Sequence, residues 1–320
     1  MDITGVGINW SCRDKIPEAR KVFTERMDNL ENKLLVYAED VEKTMTNDYW
    51  VETFLEWHRG NVVKAVDGLL YSLKYQKRYR LRELQDSDFP SEYYSHGSFF
   101  EYEPDKLGRR TLYVRMKYIP ACKETRDISL QWVFFQHFKM QEKSGEQGYI
   151  CVFDNRDISM KNIDVAATSR IMEVAEVFPF ALRLSVNLNL PLAMKLIFQG
   201  GLYILPSDRR NAVFIKEGEL HEVIPTEKIP DFLNGKCQKP YSGQEVVPQG
   251  CLTLKDFFLG AAFSRNSEEG SEDENKNRVS KAVIEKMKKS PLMWSNNFDV
   301  KTARSVLSYY KTIMPQAVID

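Results

Sequence analysis

Four histidines, His58, His96, His137 and His221, are scattered along the 320 residues, and none has a second metal ligand at the spacing a zinc site needs. The residue best placed for catalysis is Asp154, which closes the apolar run GYICVFD (148–154). Carboxylates at the carboxyl ends of strands serve many α/β enzymes. No base, nucleophile or metal ligand accompanies this one, so the favoured role is a turn in which Asp154 and Asn155 hydrogen-bond the backbone. The basic run VRMK (114–117), with Arg109 and Arg110, has the composition of a phosphate contact, but a solvated sheet edge is the favoured reading. Phosphate-loop, dinucleotide, nucleophile-elbow and zinc-protease motifs are absent, and Gly5-Val6-Gly7 is a fragment that precedes any strand. Five cysteines, an odd number without a C-x-x-C pair, read as reduced thiols. The expectation is a protein that is not an enzyme and needs neither cofactor nor metal.

Apolar residues at helical spacing run from Ile16 to Met45, as one long helix or two, and again from Trp50 to Leu84, which predicts a helical N-lobe over 14–90. After Pro90 the character changes to β-rich runs at Phe99–Tyr102 and Thr111–Ile119, separated by a turn with Pro104, Asp105 and Gly108. Helical spacing over Ile128–Gln141 precedes the strand through Phe153. A helical stretch from Ile163 to Phe178, an alternating strand from Leu184 to Leu190, an almost wholly apolar helix from Pro191 to Leu205 and a strand at 211–215 follow. Buried strands alternating with helices predict an α/β domain over 91–240, its sheet mainly parallel and flanked by helices. Over 241–320 the sequence reads as a linker, a short apolar helix from Leu252 to Phe263, an acidic disordered stretch (264–277), a helix from Val279 to Lys288 and a tail.

Lys plus Arg and Asp plus Glu each total 45, so no global field draws the chain to nucleic acid, and no nucleic-acid partner is expected. The start MDITGVGINWSCRDK lacks a signal peptide's basic and apolar stretches, and the tract from Pro191 to Pro206 is too short to span a bilayer. A cytoplasmic location with peripheral association to endomembranes is the expectation.

Several runs taken in order resemble the CRAL-TRIO family, to which the yeast phosphatidylinositol/phosphatidylcholine transfer protein belongs. WVETFLEWHRGNVVKAVDGLLYSLKYQKRYRL (50–81) is similar to its helical N-lobe and GRRTLYVRMKY (108–118) to its first central strand. GYICVFDNRDIS (148–159) resembles the strand ending in Asp, and VFPFALRLSVNLNLP (177–191) the Y-P-E-x-L … N-x-P segment. LPSDRRNAVFI (205–215) and IPDFLNGKC (229–237) resemble the last strand and the closing motif, with Asn234 in place of a glycine. Within the family, AEDVEKTMTNDYWVETFLEW (38–57) and MKYI (116–119) are most similar to the vertebrate motile sperm domain-containing membrane tethers.

The resemblance implies a hydrophobic pocket between the sheet and a gate helix, for which Pro191–Leu205 is the match; from the residues alone a buried core helix fits equally. The expected pocket residues are Phe138, Val152, Phe153, Met172, Leu188, Met194, Ile197 and Phe198. Lys195, Leu196, Ile197, Phe198 and Leu202 are the expected membrane-facing part of the gate. The implied function is non-catalytic binding of a hydrophobic lipid, extending to transfer at intracellular membranes. The alternative is a ligand-free module that keeps the fold for protein interaction or membrane contact. Phosphatidylinositol-binding members carry an acid and a lysine where this chain has Phe180 and Ala212, so a sterol, isoprenoid or acyl lipid is the expected ligand.

Overall fold

The structure is a computed structural model and describes residues 3–158, 164, 170, 173–192, 194–196, 199, 211–265, 279–295 and 297–314. The gate residues Ile197, Phe198 and Leu202, the pocket residue Met172 and residues 266–277 of the acidic stretch lie outside them.

The N-lobe is five helices: α1 (Ile16–Met27), α2 (Leu30–Leu34), α3 (Ala38–Thr46), α4 (Asp48–Trp57) and α5 (Val62–Arg78). The expected one or two helices before Met45 are three. Asn29 leaves helical φ/ψ and its side chain accepts from the Glu31 amide, so it caps a new helix, and Tyr37 makes a second extended break. Asn47 and Asn61 cap α4 and α5 in the same way, accepting from Trp50 and Lys64. Buried stripes Phe23, Phe54, Leu55, Val66, Leu69 and Leu73 then close one core among α1, α4 and α5.

A five-stranded sheet follows, with β1 (Phe99–Tyr102), β2 (Arg110–Arg115), β3 (Tyr149–Asp154), β4 (Leu182–Leu188) and β5 (Ala212–Ile215) in chain order. β1 and β2 pair antiparallel; the remaining pairs are parallel. When parallel strands are laid down in chain order, right-handed crossovers send every connection over the same face. That face carries α7 (Arg126–Ser144), preceded by the short α6 (Ser91–Ser95), and α8 (Val174–Val177). Phe134 and Phe138 of α7, with Val174 and Val177 of α8, share one core with Leu112, Val114 and Cys151. The opposite face, with Tyr113, Ile150, Val152, Val186 and Leu188, packs against Leu220, Val223, Ile224 and Leu233 of the returning chain. In that return Asn234 adopts a φ of +56°, which Asn tolerates, and a Cβ on Gly235 would sit 1.9 Å from the Ile229 carbonyl oxygen.

The C-terminal part is more integrated than a linker and tail. α9 (Leu254–Arg265), α10 (Lys281–Lys289), α11 (Val300–Ile313) and the segment between the last two put Phe257, Phe258, Trp294, Phe298 and Tyr310 into the same core as α7. The Tyr310 and Tyr93 hydroxyls meet at 2.8 Å, and the Gln131 amide oxygen accepts from the Met293 amide at 2.6 Å. α11 is a helix where the sequence reading has only a tail; Asp299 caps it by accepting from the Thr302 amide at 2.7 Å.

Candidate ligand site

Side chains alternate across a strand, so the register decides which residues share a face. Val114, Phe153, Asn187 and Phe214 are successive Cα partners across β2, β3, β4 and β5 and form one lateral row. Leu112, Cys151, Ser185 and Ala212 form the next. Both rows lie on the face that carries α7 and α8, so they make the floor beneath the connections.

Of the expected pocket residues, Phe138 and Phe153 lie on this face. Phe138 is 8% exposed, its ring 6.4 Å from that of Phe178, and the Arg82 guanidinium sits 5.5 Å from it. Phe153 is partly buried against the same core. Val152 and Leu188 are fully buried on the opposite face, among Ile150, Val186 and Leu220, and cannot line a cavity with Phe153. Neighbours in one strand point apart, so Val152 and Phe153 could never have shared a pocket.

Between β4 and β5, Leu192 and residues 194–196 are helical. Met194 is buried at 7% exposure, and the Lys195 ammonium lies 5.7 Å from the centroid of the Phe214 ring, which places this stretch beside the floor. Leu192 and Leu196, one helical turn apart, are 72% and 61% exposed.

The sequence reading missed Ser185, Asn187 and Phe214. The signal was the alternation in β4 itself: Leu184, Val186 and Leu188 point to the opposite core, so Ser185 and Asn187 must face the connections. Asn187 is 7% exposed, and its amide nitrogen donates to the Ser185 hydroxyl at 3.1 Å. The floor is thus apolar at both sides, Phe153 and Phe214, with one small polar pair between. Such a surface can hold an apolar ligand and orient one polar group of it.

The residues weighed for catalysis serve structure. Arg156 forks onto both oxygens of the buried Asp154, at 2.8 and 2.9 Å, and also donates to Glu217 and the Phe232 carbonyl. The Asn155 amide donates to the Phe153 and Leu188 carbonyls, as a turn role requires. Arg109 is no solvated edge residue: it is 4% exposed and paired with Asp105 at 2.7 Å. Arg110 pairs with Glu101 and Lys117 with Asp157. Arg115 donates to the His96 carbonyl and stacks its guanidinium 4.5 Å from the Phe232 ring. Burial pushes the pKa of His96 down and that of His137 down to about 4. Among the described residues no group of three or more His, Cys, Asp or Glu could hold a metal ion, and no helix is long and apolar enough to cross a membrane.

The crystal structure of Sfh5 is similar to this chain at 13% identity, with a TM-score of 0.47, over 75% of this chain and 90% of that chain. The family model of the CRAL/TRIO domain matches residues 94–235, the span from the start of the sheet to the return behind it.

Proposed function

We propose that this protein binds a hydrophobic lipid without catalysis and exchanges it at the surface of intracellular membranes. The observation that carries this reading is the pair Leu192 and Leu196, exposed on a short helical stretch that also buries Met194 and rests Lys195 over Phe214 of the floor. A gate over an apolar floor needs that arrangement: one side closes the ligand in, the other enters the acyl boundary of a membrane. Phe138, Phe153, Met172, Met194, Ile197 and Phe198 are the pocket residues on this reading. Lys195, whose ammonium rests over Phe214, is the cation that reaches head-group phosphate while its apolar neighbours insert. Removing a dozen methylenes from water contributes roughly 10 kcal/mol, enough to hold an acyl or isoprenoid chain without a covalent step.

A sterol, isoprenoid or acyl lipid suits the site better than a phosphoinositide. Phe180 is 9% exposed beneath Trp57, and Ala212 offers no charge, so neither position can bind an inositol phosphate. The likeness of the N-lobe to the motile sperm domain-containing tethers fits a protein that works at membranes, with a cytoplasmic, peripherally bound location.

Native mass spectrometry of the purified chain tests the reading. An adduct of lipid mass that disappears on denaturation is expected, free of phosphatidylinositol. A uniformly ligand-free protein that takes up no lipid from vesicles would overturn it in favour of a fold kept for protein interaction.

A further inference from the structure

The segment Ile3–Cys12 does more than lead into the N-lobe. Arg109 donates to the Thr4 and Ile3 carbonyls at 2.7 and 2.6 Å, although the partners are more than a hundred residues apart in sequence. The Val6 amide donates to the Arg183 carbonyl at 2.9 Å, and the Arg183 guanidinium returns to the Val6 carbonyl at 3.2 Å. The segment therefore lies across the amino ends of β2 and β4. It then turns to the N-lobe, where Glu56 of α4 accepts from the Ser11 hydroxyl at 2.9 Å and the Cys12 amide at 3.0 Å.

Val6 also closes a small core with Trp57 of α4 and Phe180 before β4, whose rings meet edge to face at 5.2 Å. Phe180 has a φ of +59° and Trp10 a φ of +50°. Bulky side chains rarely adopt this left-handed region, and such strain persists only where surrounding contacts over-determine it. Both of these residues are aromatic, one in the segment and the other packed against its Val6. Gly5 is the point of closest approach: at φ +70°, a Cβ there would lie 2.1 Å from the Arg183 carbonyl oxygen.

We propose that Ile3–Cys12 is a strap that clamps the N-lobe to the sheet and opens as one unit, releasing Trp57 and the strained Phe180 together. Phe180 follows closely on Phe178, whose ring faces Phe138, so opening would be felt at the wall of the floor described above.

Two neighbouring glycines give the test its control. A Cβ on Gly7, unlike one on Gly5, would have nothing within 4 Å, and Gly7 has no left-handed φ. Hydrogen exchange is measured on the full chain, on Gly5→Ala and on Gly7→Ala. In Gly5→Ala the amides around Val6, Trp57 and Phe180 are expected to exchange at least about 10-fold faster, with those of Ile150–Val152 unchanged and Gly7→Ala matching wild type. Equal behaviour of the two variants overturns the proposal. So does faster exchange at Val6 alone, which would make the segment a passive tail, or a uniform rise across the sheet, which would make it ordinary global stability. If Gly5→Ala does not fold, Phe180→Gly, which accepts the left-handed φ and removes the ring, is read by the same criteria.

Discussion

At His137 burial decides the protonation state. The ring is 2% exposed in the core behind β3, against the Tyr149 hydroxyl, and desolvation pushes its pKa down to about 4 from 6.5. The folded state keeps the ring neutral while the unfolded chain takes up a proton below pH 6.5, so this residue's contribution is complete above that value and is lost as pH falls towards 4. About 2 kcal/mol should disappear between pH 7.5 and 5 through this residue. Urea unfolding of wild type and His137→Gln at both pH values checks it: the variant should lose the smaller amount. An equal loss in both chains would place the acid sensitivity elsewhere. Asp154 illustrates the same scale differently. Its buried carboxylate accepts from two nitrogens of Arg156, which fixes the turn after β3.

At the scale of elements, the proposed gate role rests on Leu192 and Leu196 in the described part of the connection between β4 and β5. Leu192 and Leu196 are mostly exposed, so replacing both with serine removes no core contact and should leave the melting temperature within about 2 °C. Flotation with liposomes is expected to fall several-fold for that pair. Binding should depend little on salt, because the sequence has no net charge and the attraction is apolar. Unchanged flotation would remove the gate role from this stretch. Leu192 and Leu196 test membrane contact more cleanly than buried positions, whose substitution would disturb folding as well.

For the whole molecule the decisive feature is that α9 to α11 complete the core begun by α7. Tyr310, Phe258 and Phe298 are essentially inaccessible, and Tyr310 stacks and hydrogen-bonds with Tyr93 from the start of the central domain. A chain ending at Asp299 would lose Ala303, Val306, Leu307 and Tyr310 from this core, several times the cost of a single large-to-small change. It is expected to lose near-ultraviolet circular dichroism while retaining helical far-ultraviolet signal, since the N-lobe has its own cluster. A truncated chain with wild-type near-ultraviolet spectrum and melting temperature would show that α11 is dispensable.

The class of the fold is legible in the amino-acid sequence because period is local: 3.6-residue stripes in α4 and α5, the apolar run in β3 and the alternation in β4 can be read without knowing their partners. The sequence also carries two signals that the reading passed over. Ala303, Val306, Leu307 and Tyr310 have helical spacing after an Asp cap, and strict alternation already separates Val152 from Phe153. Which face of the sheet lies beneath the connections is fixed only on folding. Both faces of a parallel sheet are apolar, and strand order with crossover hand assigns Ser185 and Asn187 to one and Leu188 to the other. The burial of Arg109 and Arg183 was equally beyond the sequence. Their carbonyl partners at Ile3, Thr4 and Val6 are brought to them by folding from the far end of the chain, and no local pattern of residues encodes a contact between segments that meet only once the core has formed.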